Sequence, residues 1–215
     1  IRATSTDFIR GQLGMIDLSS NMYQGTKWMP DLKNKLETAS YPVTKGADMP
    51  GCVQIWEHPP NGQVPHGMYI AATDPYDQDK AGESSSLGST FIYKIGDFRS
   101  GGLRDIVVAE YTGRPETAKE HHENVRRLCM YYNALNLYEN ERNSMKFHFE
   151  ANNSLNLLSN TPGILKANAS GTVQRTYGQH MTVPVKSELE LFTRVFQILS
   201  LLKVLSVSQK AVVLM

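Results

Sequence analysis

Gly67-Met68-Tyr69-Ile70-Ala71-Ala72-Thr73-Asp74-Pro75-Tyr76-Asp77 begins as a compact apolar run and ends in a polar turn. The apolar residues Tyr69 to Ala72 predict a short buried strand. Asp74-Pro75 ends it, because proline has no N–H to donate and restricts the residue before it. An unpaired carboxylate at the end of a buried strand is costly, and a bound metal ion would offset that cost. The alternative is that Asp74 only opens a turn, as Asp-Pro often does.

The composition indicates one sizeable hydrophobic core and an uneven distribution of charge. The chain has 215 residues, 40% of them hydrophobic, and a net charge of +1. This length suits one domain, or one domain with an arm. After Asn160 there are six lysines and arginines and two glutamates, a balance of +4, whereas the preceding part carries −3. An acidic site beside a basic surface fits a metal and a phosphate backbone, and ordinary solvated faces fit as well.

The cysteines and the lack of a targeting signal predict the compartment. Cys52 and Cys129 lie far apart and form neither a CxxC motif nor a disulfide framework. The sequence shows no signal peptide and no apolar run long enough to span a bilayer. We therefore expect an intracellular, reduced protein without a membrane partner. The chain starts at Ile1 and has no GxxxxGK[ST] loop, so we expect a fragment without an ATPase site of its own.

The first half of the chain predicts an arm followed by a β-rich region. Residues 1–50 are weakly periodic, and we predict an N-terminal arm or linker there, with one domain over residues 51–215. Cys52 to Glu57 alternates as an edge strand does. After the strand that ends at Asp74, two further strands are predicted, Ser89 to Ile95 and Arg104 to Tyr111, with a glycine-rich hairpin between them. The three strands from Tyr69 onward should form an antiparallel meander.

The second half predicts alternating helices and strands. Thr112-Gly113-Arg114-Pro115 opens a helix that ends near Asn133, with one apolar face at i, i+3, i+4 and i+7. We expect His121, His122, Arg126 and Arg127 of this helix to face solvent. A fourth strand, Leu135 to Tyr138, ends on Glu139. Then follow a helix over 142–150, a fifth strand over 155–158 and an apolar helix over 187–205.

This order of elements predicts an α/β fold of the RNase H-like type. Its sheet is mixed: a three-strand meander comes first, then parallel strands with crossover helices, and helices flank the sheet. A strand that follows a crossover helix lies parallel to an earlier strand. The first and fourth strands should therefore lie side by side, with Asp74 and Glu139 at their adjacent carboxyl ends. Two such carboxylates are suited to two-metal hydrolysis of phosphodiesters with Mg²⁺ or Mn²⁺.

Several motifs resemble one family. The stretch around Asp74, with Ser86-Leu87-Gly88-Ser89, resembles the first nuclease motif of the large terminase subunit of tailed phages. Val108-Ala109-Glu110-Tyr111-Thr112-Gly113-Arg114-Pro115 and Leu137-Tyr138-Glu139-Asn140-Glu141 resemble the middle of that domain. Tyr177-Gly178-Gln179-His180-Met181-Thr182 is similar to a later stretch of crAss-like phage terminases. The resemblance covers roughly residues 50–195.

The resemblance implies a divalent-metal endonuclease that cuts concatemeric double-stranded DNA during genome packaging. It implies an upstream ATPase domain, a portal and a small terminase subunit as partners, and the cytoplasm of a bacterial host as the location. Asp74 and Glu139 would be the catalytic metal ligands. The family also carries a third acid near a C-terminal helix, but this chain has no Asp or Glu after Glu190.

The missing third acid leaves the rest of the site open. Asp77, Asp79 or Glu188 could replace it, although each is equally compatible with exposed surface charge. Lys80, Lys166 and Arg175 are candidate contacts to the DNA backbone. Two alternatives also stay open. One is another RNase H-like nuclease, such as a junction resolvase or integrase, and the other is a degraded DNA-binding or packaging-motor module.

Overall fold

A computed structural model describes residues 8–15, 25–39, 49–76, 86–95, 106–162 and 177–191. The chain divides into two compact units. The first contains Ile1–Thr161 and Arg175–Gln179, and the second contains Pro162–Gln174 and His180–Met215. In the second unit, the described residues form a helix over 183–191 in which Val185 is buried. The helix predicted over 187–205 therefore begins at residue 183, four residues before its predicted start. Residues after 191 lie outside the described residues.

The first unit is an α/β structure built on a mixed seven-stranded sheet. The strands, in chain order, are β1 (Ile9–Met15), β2 (Thr26–Pro30), β3 (Met49–Ile55), β4 (Tyr69–Asp74), β5 (Gly88–Lys94), β6 (Ile106–Arg114) and β7 (Leu135–Tyr138). In space their order is β2-β1-β3-β6-β5-β4-β7. All neighbours are antiparallel except β4 and β7, which are parallel. The predicted meander β4-β5-β6 and the predicted parallel pair β4-β7 are both confirmed.

Helix α1 (Ala118–Tyr132) covers the core face of this sheet. Thr117 caps its start by accepting a hydrogen bond from the backbone N–H of Glu120 at 3.2 Å, and Asn133 ends it in the left-handed conformation. The predicted apolar face is confirmed, because Val125, Leu128, Cys129 and Tyr132 are fully buried. Tyr132 packs edge-on against Tyr69 of β4, with ring centroids 5.1 Å apart. Helix α2 (Ser144–Ala151) packs against α1.

The segment predicted to be an arm contributes β1 and β2 to the sheet. Consequently β3, predicted as an edge strand, is an interior strand between β1 and β6. The alternation of β1 is hard to detect in the sequence, because Gly11 and Gly14 carry no side chain. A Cβ on Gly11 would lie 2.6 Å from the Trp28 ring, so this glycine allows β1 and β2 to approach. The division at residue 50 stays a prediction.

Two other element predictions are wrong. Residues 112–114, predicted to open the helix, instead complete β6. The predicted fifth strand is a 3-10 turn over Leu155–Leu157, and only Leu158 bridges to Asn136 in β7. The Leu157 and Leu158 N–H groups donate to Ser154 and Leu155 carbonyls, each at 3.0 Å. Because these backbone groups are satisfied within the turn, the segment does not pair as a strand.

Gly51 provides a test of the β3-β6 pairing. It has a φ of +73° within a bulge, and a Cβ there would lie 2.0 Å from the Thr112 carbonyl oxygen. Gly62 also has positive φ, +88°, but a Cβ there would have no neighbouring atom within 4 Å. We expect Gly51→Ala to lower the free energy of unfolding by about 2 kcal/mol more than Gly62→Ala, because only the first adds a clash. Equal losses in urea titrations would contradict this packing.

Candidate metal site

The backbone brings Asp74 and Glu139 side by side. In the parallel β4-β7 pair, Thr73 is the register partner of Tyr138, and the Glu139 N–H donates to the Thr73 carbonyl at 2.9 Å. Asp74 directly follows Thr73, and Glu139 directly follows Tyr138, so both residues lie at the same end of the strand pair. The predicted meeting of these carboxyl ends is therefore confirmed at the level of the backbone.

The two carboxylates lie on the sheet face opposite α1. Along β4, Tyr69, Ala71 and Thr73 are buried, whereas Ile70, Ala72 and Asp74 are exposed. Glu139 is half-buried. The expectation of a buried carboxylate at Asp74 is therefore wrong, because the strand has one core face and Asp74 lies on the other. Exposure removes the desolvation cost that the sequence argument invoked, so any metal site here rests on the pairing of carboxylates.

A buried polar network fixes the strand ends from the core side. Thr73 Oγ1 lies 3.0 Å from Thr90 Oγ1 on β5 and donates to Asn136 Oδ1 on β7 at 2.9 Å. Thr90 and Asn136 are fully buried. The network joins β5, β4 and β7 through Thr73, one residue before Asp74, and Asn136, three residues before Glu139, and so supports the backbone from which both carboxylates project.

A polar row that the sequence argument missed continues across the same face as Asp74. Ser89 on β5 is the register partner of Asp74, and Thr112 on β6 is the partner of Ser89. The two hydroxyl oxygens lie 3.0 Å apart, and Thr112 donates to Glu110 Oε1 at 2.8 Å. Glu110 and Thr112 are buried. Alternation within β6 places them on one face, but only the pairing with β5 shows that this face includes Asp74.

On the other side of Glu139, the chain returns to the sheet at residues 177–179. Gln179 forms a parallel bridge with Glu139: its N–H donates to the Tyr138 carbonyl, and its carbonyl accepts from Asn140, each at 2.8 Å. Gly178 has a φ of +73°, and a Cβ there would lie 2.8 Å from the Tyr138 carbonyl oxygen. Residues 177–179, at the start of the stretch singled out by the terminase resemblance, thus lie beside the predicted ligand.

Described residues hold the chain on both sides of residues 77–85. Tyr76 Oη donates to the Pro115 and Thr117 carbonyls at 2.8 and 3.0 Å. Arg114 stacks over the Tyr76 ring at 4.6 Å and donates to the Ser86 carbonyl at 2.6 Å. Residues 77–85 themselves lie outside the described residues.

The structure does not test the remaining predicted site residues. Asp77, Asp79, Lys80, Lys166 and Arg175 lie outside the described residues. Glu188 is half-buried on the helix 183–191 of the second unit. Within the described ranges, no group of three or more His, Cys, Asp or Glu residues is placed to hold a metal ion.

The histidines of α1 are buried, contrary to the prediction of a solvent-facing position. His121 and His122 are 0% and 2% exposed, because the sheet covers one side of α1 and α2 packs on another. The His121 ring lies between Tyr76 and Tyr111, with centroids 5.1 and 5.4 Å away. Burial, with a smaller effect from His122, lowers the pKa of His121 to about 3. Arg126 is also buried, and Arg127 is half-buried.

His121 should make the protein less stable in mild acid. Its pKa is depressed in the folded state, so unfolded chains bind an extra proton below pH 6.5 and stability falls as pH falls. Between pH 7.5 and 5.5 the expected loss is about 1.4 kcal/mol. Urea titrations at both pH values should show this loss in wild type and in the control variant His66→Gln, which changes an exposed histidine. The loss should be absent in His121→Leu. An unchanged loss in His121→Leu would contradict the assignment.

No family model, curated protein or solved structure matches the chain. Among the described helices, none is long and apolar enough to cross a membrane.

Proposed function

We propose that this chain is an RNase H-like nuclease domain of a phage terminase large subunit, a divalent-metal endonuclease acting on double-stranded DNA. The observation that carries the proposal is the parallel pairing of β4 and β7, which sets Asp74 beside Glu139 at the carboxyl ends of the two strands. Two carboxylates from strands distant in sequence and adjacent in space are the starting requirement for metal-assisted phosphodiester hydrolysis.

The arrangement of strands supports the fold assignment. The order β6-β5-β4-β7, antiparallel through the meander and parallel at its last pair, is the order expected for an RNase H-like sheet. Helix α1 makes the crossover between the meander and β7. Strands β1, β2 and β3 extend this arrangement at the far edge.

The residues present fit Mg²⁺ or Mn²⁺ in their donor chemistry. Asp74 and Glu139 offer carboxylate oxygens, and Ser89 adds a hydroxyl oxygen next to Asp74, whereas no thiol or imidazole takes part in this row. Hard oxygen donors select these ions over zinc or copper. An ion bound there supplies the Lewis acid that activates water and neutralises charge on the scissile phosphate.

The side chains of this chain would perform two tasks. Asp74 and Glu139 hold the cation, and the buried Thr73-Thr90-Asn136 network keeps their backbones in register. Lys80, Lys166 and Arg175 remain proposed contacts to the DNA phosphates. The family interpretation adds an upstream ATPase domain, a portal and a small subunit as proposed partners, acting in the host cytoplasm.

Nicking of supercoiled plasmid tests the proposal. The chain offers two adjacent carboxylates, and Mg²⁺ tolerates incomplete octahedral sites poorly. We therefore expect weak, sequence-tolerant nicking in Mn²⁺, much slower nicking in Mg²⁺ and none with a chelator. No nicking in Mn²⁺ despite retained DNA binding would overturn the nuclease proposal in favour of a degraded packaging module. Cutting confined to four-way junctions would overturn it in favour of a resolvase.

A further inference from the structure

The hydrogen bonds of neighbouring residues determine which atom accepts the Ser89 hydroxyl proton. Thr112 has a single hydroxyl proton, which it donates to Glu110 Oε1 at 2.8 Å. Thr112 Oγ1 can therefore only accept in its 3.0 Å contact with Ser89, so Ser89 is the donor. The hydrogen bonds run in one direction, from Ser89 through Thr112 to Glu110.

Because its proton is donated to Thr112, Ser89 Oγ can only accept in any further contact, through its lone pairs. Ser89 is half-buried and lies directly across from Asp74 in the β4-β5 register, on the same sheet face. Side chains in such cross-strand pairs have Cβ atoms about 4.5–5.5 Å apart. Because its proton is committed to Thr112, the Ser89 hydroxyl does not donate to the Asp74 carboxylate. The Ser89 hydroxyl and the Asp74 carboxylate are then both acceptors on register partners, and a cation is a ligand that two acceptors can share.

We propose that Ser89 Oγ is a third oxygen ligand of the divalent cation at Asp74 and Glu139, and that Thr112 and Glu110 are positioning residues that fix its proton. The inference rests on the proposed function. It places the three ligands on the adjacent strands β5, β4 and the end of β7. It also assigns a role to Glu110, an acidic side chain only 6% exposed on the same face.

The ligand set has a consequence for the choice of metal. A neutral hydroxyl supplies less charge than the carboxylate that the terminase resemblance leads one to expect at the third position. A site with two carboxylates and one hydroxyl should favour Mn²⁺, which binds the same oxygen ligands more tightly than Mg²⁺ in most sites.

The test exchanges the ligand atom. Ser89→Cys replaces a hard oxygen by a soft sulfur, which favours thiophilic metals. Ser89→Ala removes the ligand, and Thr112→Val removes the group that fixes its proton. Ser154→Cys is the control, because Ser154 is a buried serine whose hydroxyl accepts from the Arg126 guanidinium of α1, a cationic group that does not bind metals. Each protein is titrated with Mn²⁺ and with Cd²⁺ by calorimetry, and its plasmid nicking is measured in Mg²⁺, Mn²⁺ and Cd²⁺.

We expect Ser89→Ala to lower Mn²⁺ affinity by about 10-fold or more, and Thr112→Val to lower it by a smaller factor. Ser89→Cys should lose nicking in Mg²⁺, regain it in Cd²⁺ and bind Cd²⁺ more tightly than Ser154→Cys does. Urea titration confirms that each variant is folded.

The outcomes separate this inference from the proposed function. If the wild-type chain binds Mn²⁺ and nicks plasmid, but Ser89→Cys and Ser154→Cys have the same metal preferences, the Ser89 assignment is overturned and the nuclease proposal stands. If wild type neither binds Mn²⁺ nor nicks plasmid, both are overturned.

Discussion

Asp74→Asn should reduce Mn²⁺-dependent plasmid nicking at least about 100-fold, since even residues that only support a ligand can cost 10–100-fold. The amide keeps the size of the side chain but removes the charge that holds the cation. The melting temperature of the metal-free variant should equal or exceed that of wild type, because Asp74 no longer repels Glu139. Nicking rates and melting curves on the same preparations provide both measurements.

Glu150→Gln is the matched control for this experiment. Glu150 is an exposed acidic residue on α2, so its loss removes one negative charge away from β4 and β7. Its nicking rate should stay within about two-fold of wild type, as expected for an exposed charge screened by salt. If Asp74→Asn nicks as fast as Glu150→Gln, Asp74 does not belong to the site.

The largest effect on stability is expected at Glu123 of α1. Its carboxylate receives hydrogen bonds from Arg126 at 2.8 and 2.9 Å and from Arg127 at 2.8 Å, and it lies 2.9 Å from His148 Nε2. Burial raises the pKa of Glu123, but the hydrogen bonds from His148, Arg126 and Arg127 together bring it well below its usual range. The Arg126 side chain is only 4% exposed, so it depends on this carboxylate.

We expect Glu123→Ala to lower the free energy of unfolding by about 3–5 kcal/mol, because it leaves the Arg126 charge buried without its main partner. The surface pair of Glu57 with Lys94 is the matched comparison, since Glu57 is 41% exposed. Glu57→Ala should cost no more than about 1 kcal/mol. Similar losses for the two variants in urea titrations would show that the α1 cluster is not the buried ionic network described here.

The elements of the central sheet could be predicted because each carries its own local signal. Tyr69 to Asp74 has an apolar run with a proline stop, and α1 has Pro115 near its start and an apolar face. The pairing of β4 with β7 then follows from the crossover rule for parallel strands. By contrast, β1 lacks such a signal, since Gly11 and Gly14 interrupt its alternation.

The candidate site was predictable only in part, for a related reason. Asp74 and Glu139 both end strands, and element order alone places those ends together. Ser89, Thr112 and Glu110 join the site through the β4-β5-β6 register, which has no local signature. The burial of His121 likewise depends on Tyr76 and Tyr111 enclosing its ring, a contact between residues distant in sequence.

Diffraction from crystals soaked in Mn²⁺ tests the metal site most directly, because anomalous scattering locates the ion without reference to activity. We predict an Mn²⁺ ion bound by the carboxylates of both Asp74 and Glu139 in wild-type crystals, and its loss in Asp74→Asn crystals soaked in the same way. An ion held elsewhere, or the absence of any ion at these two carboxylates at saturating Mn²⁺, would contradict the account.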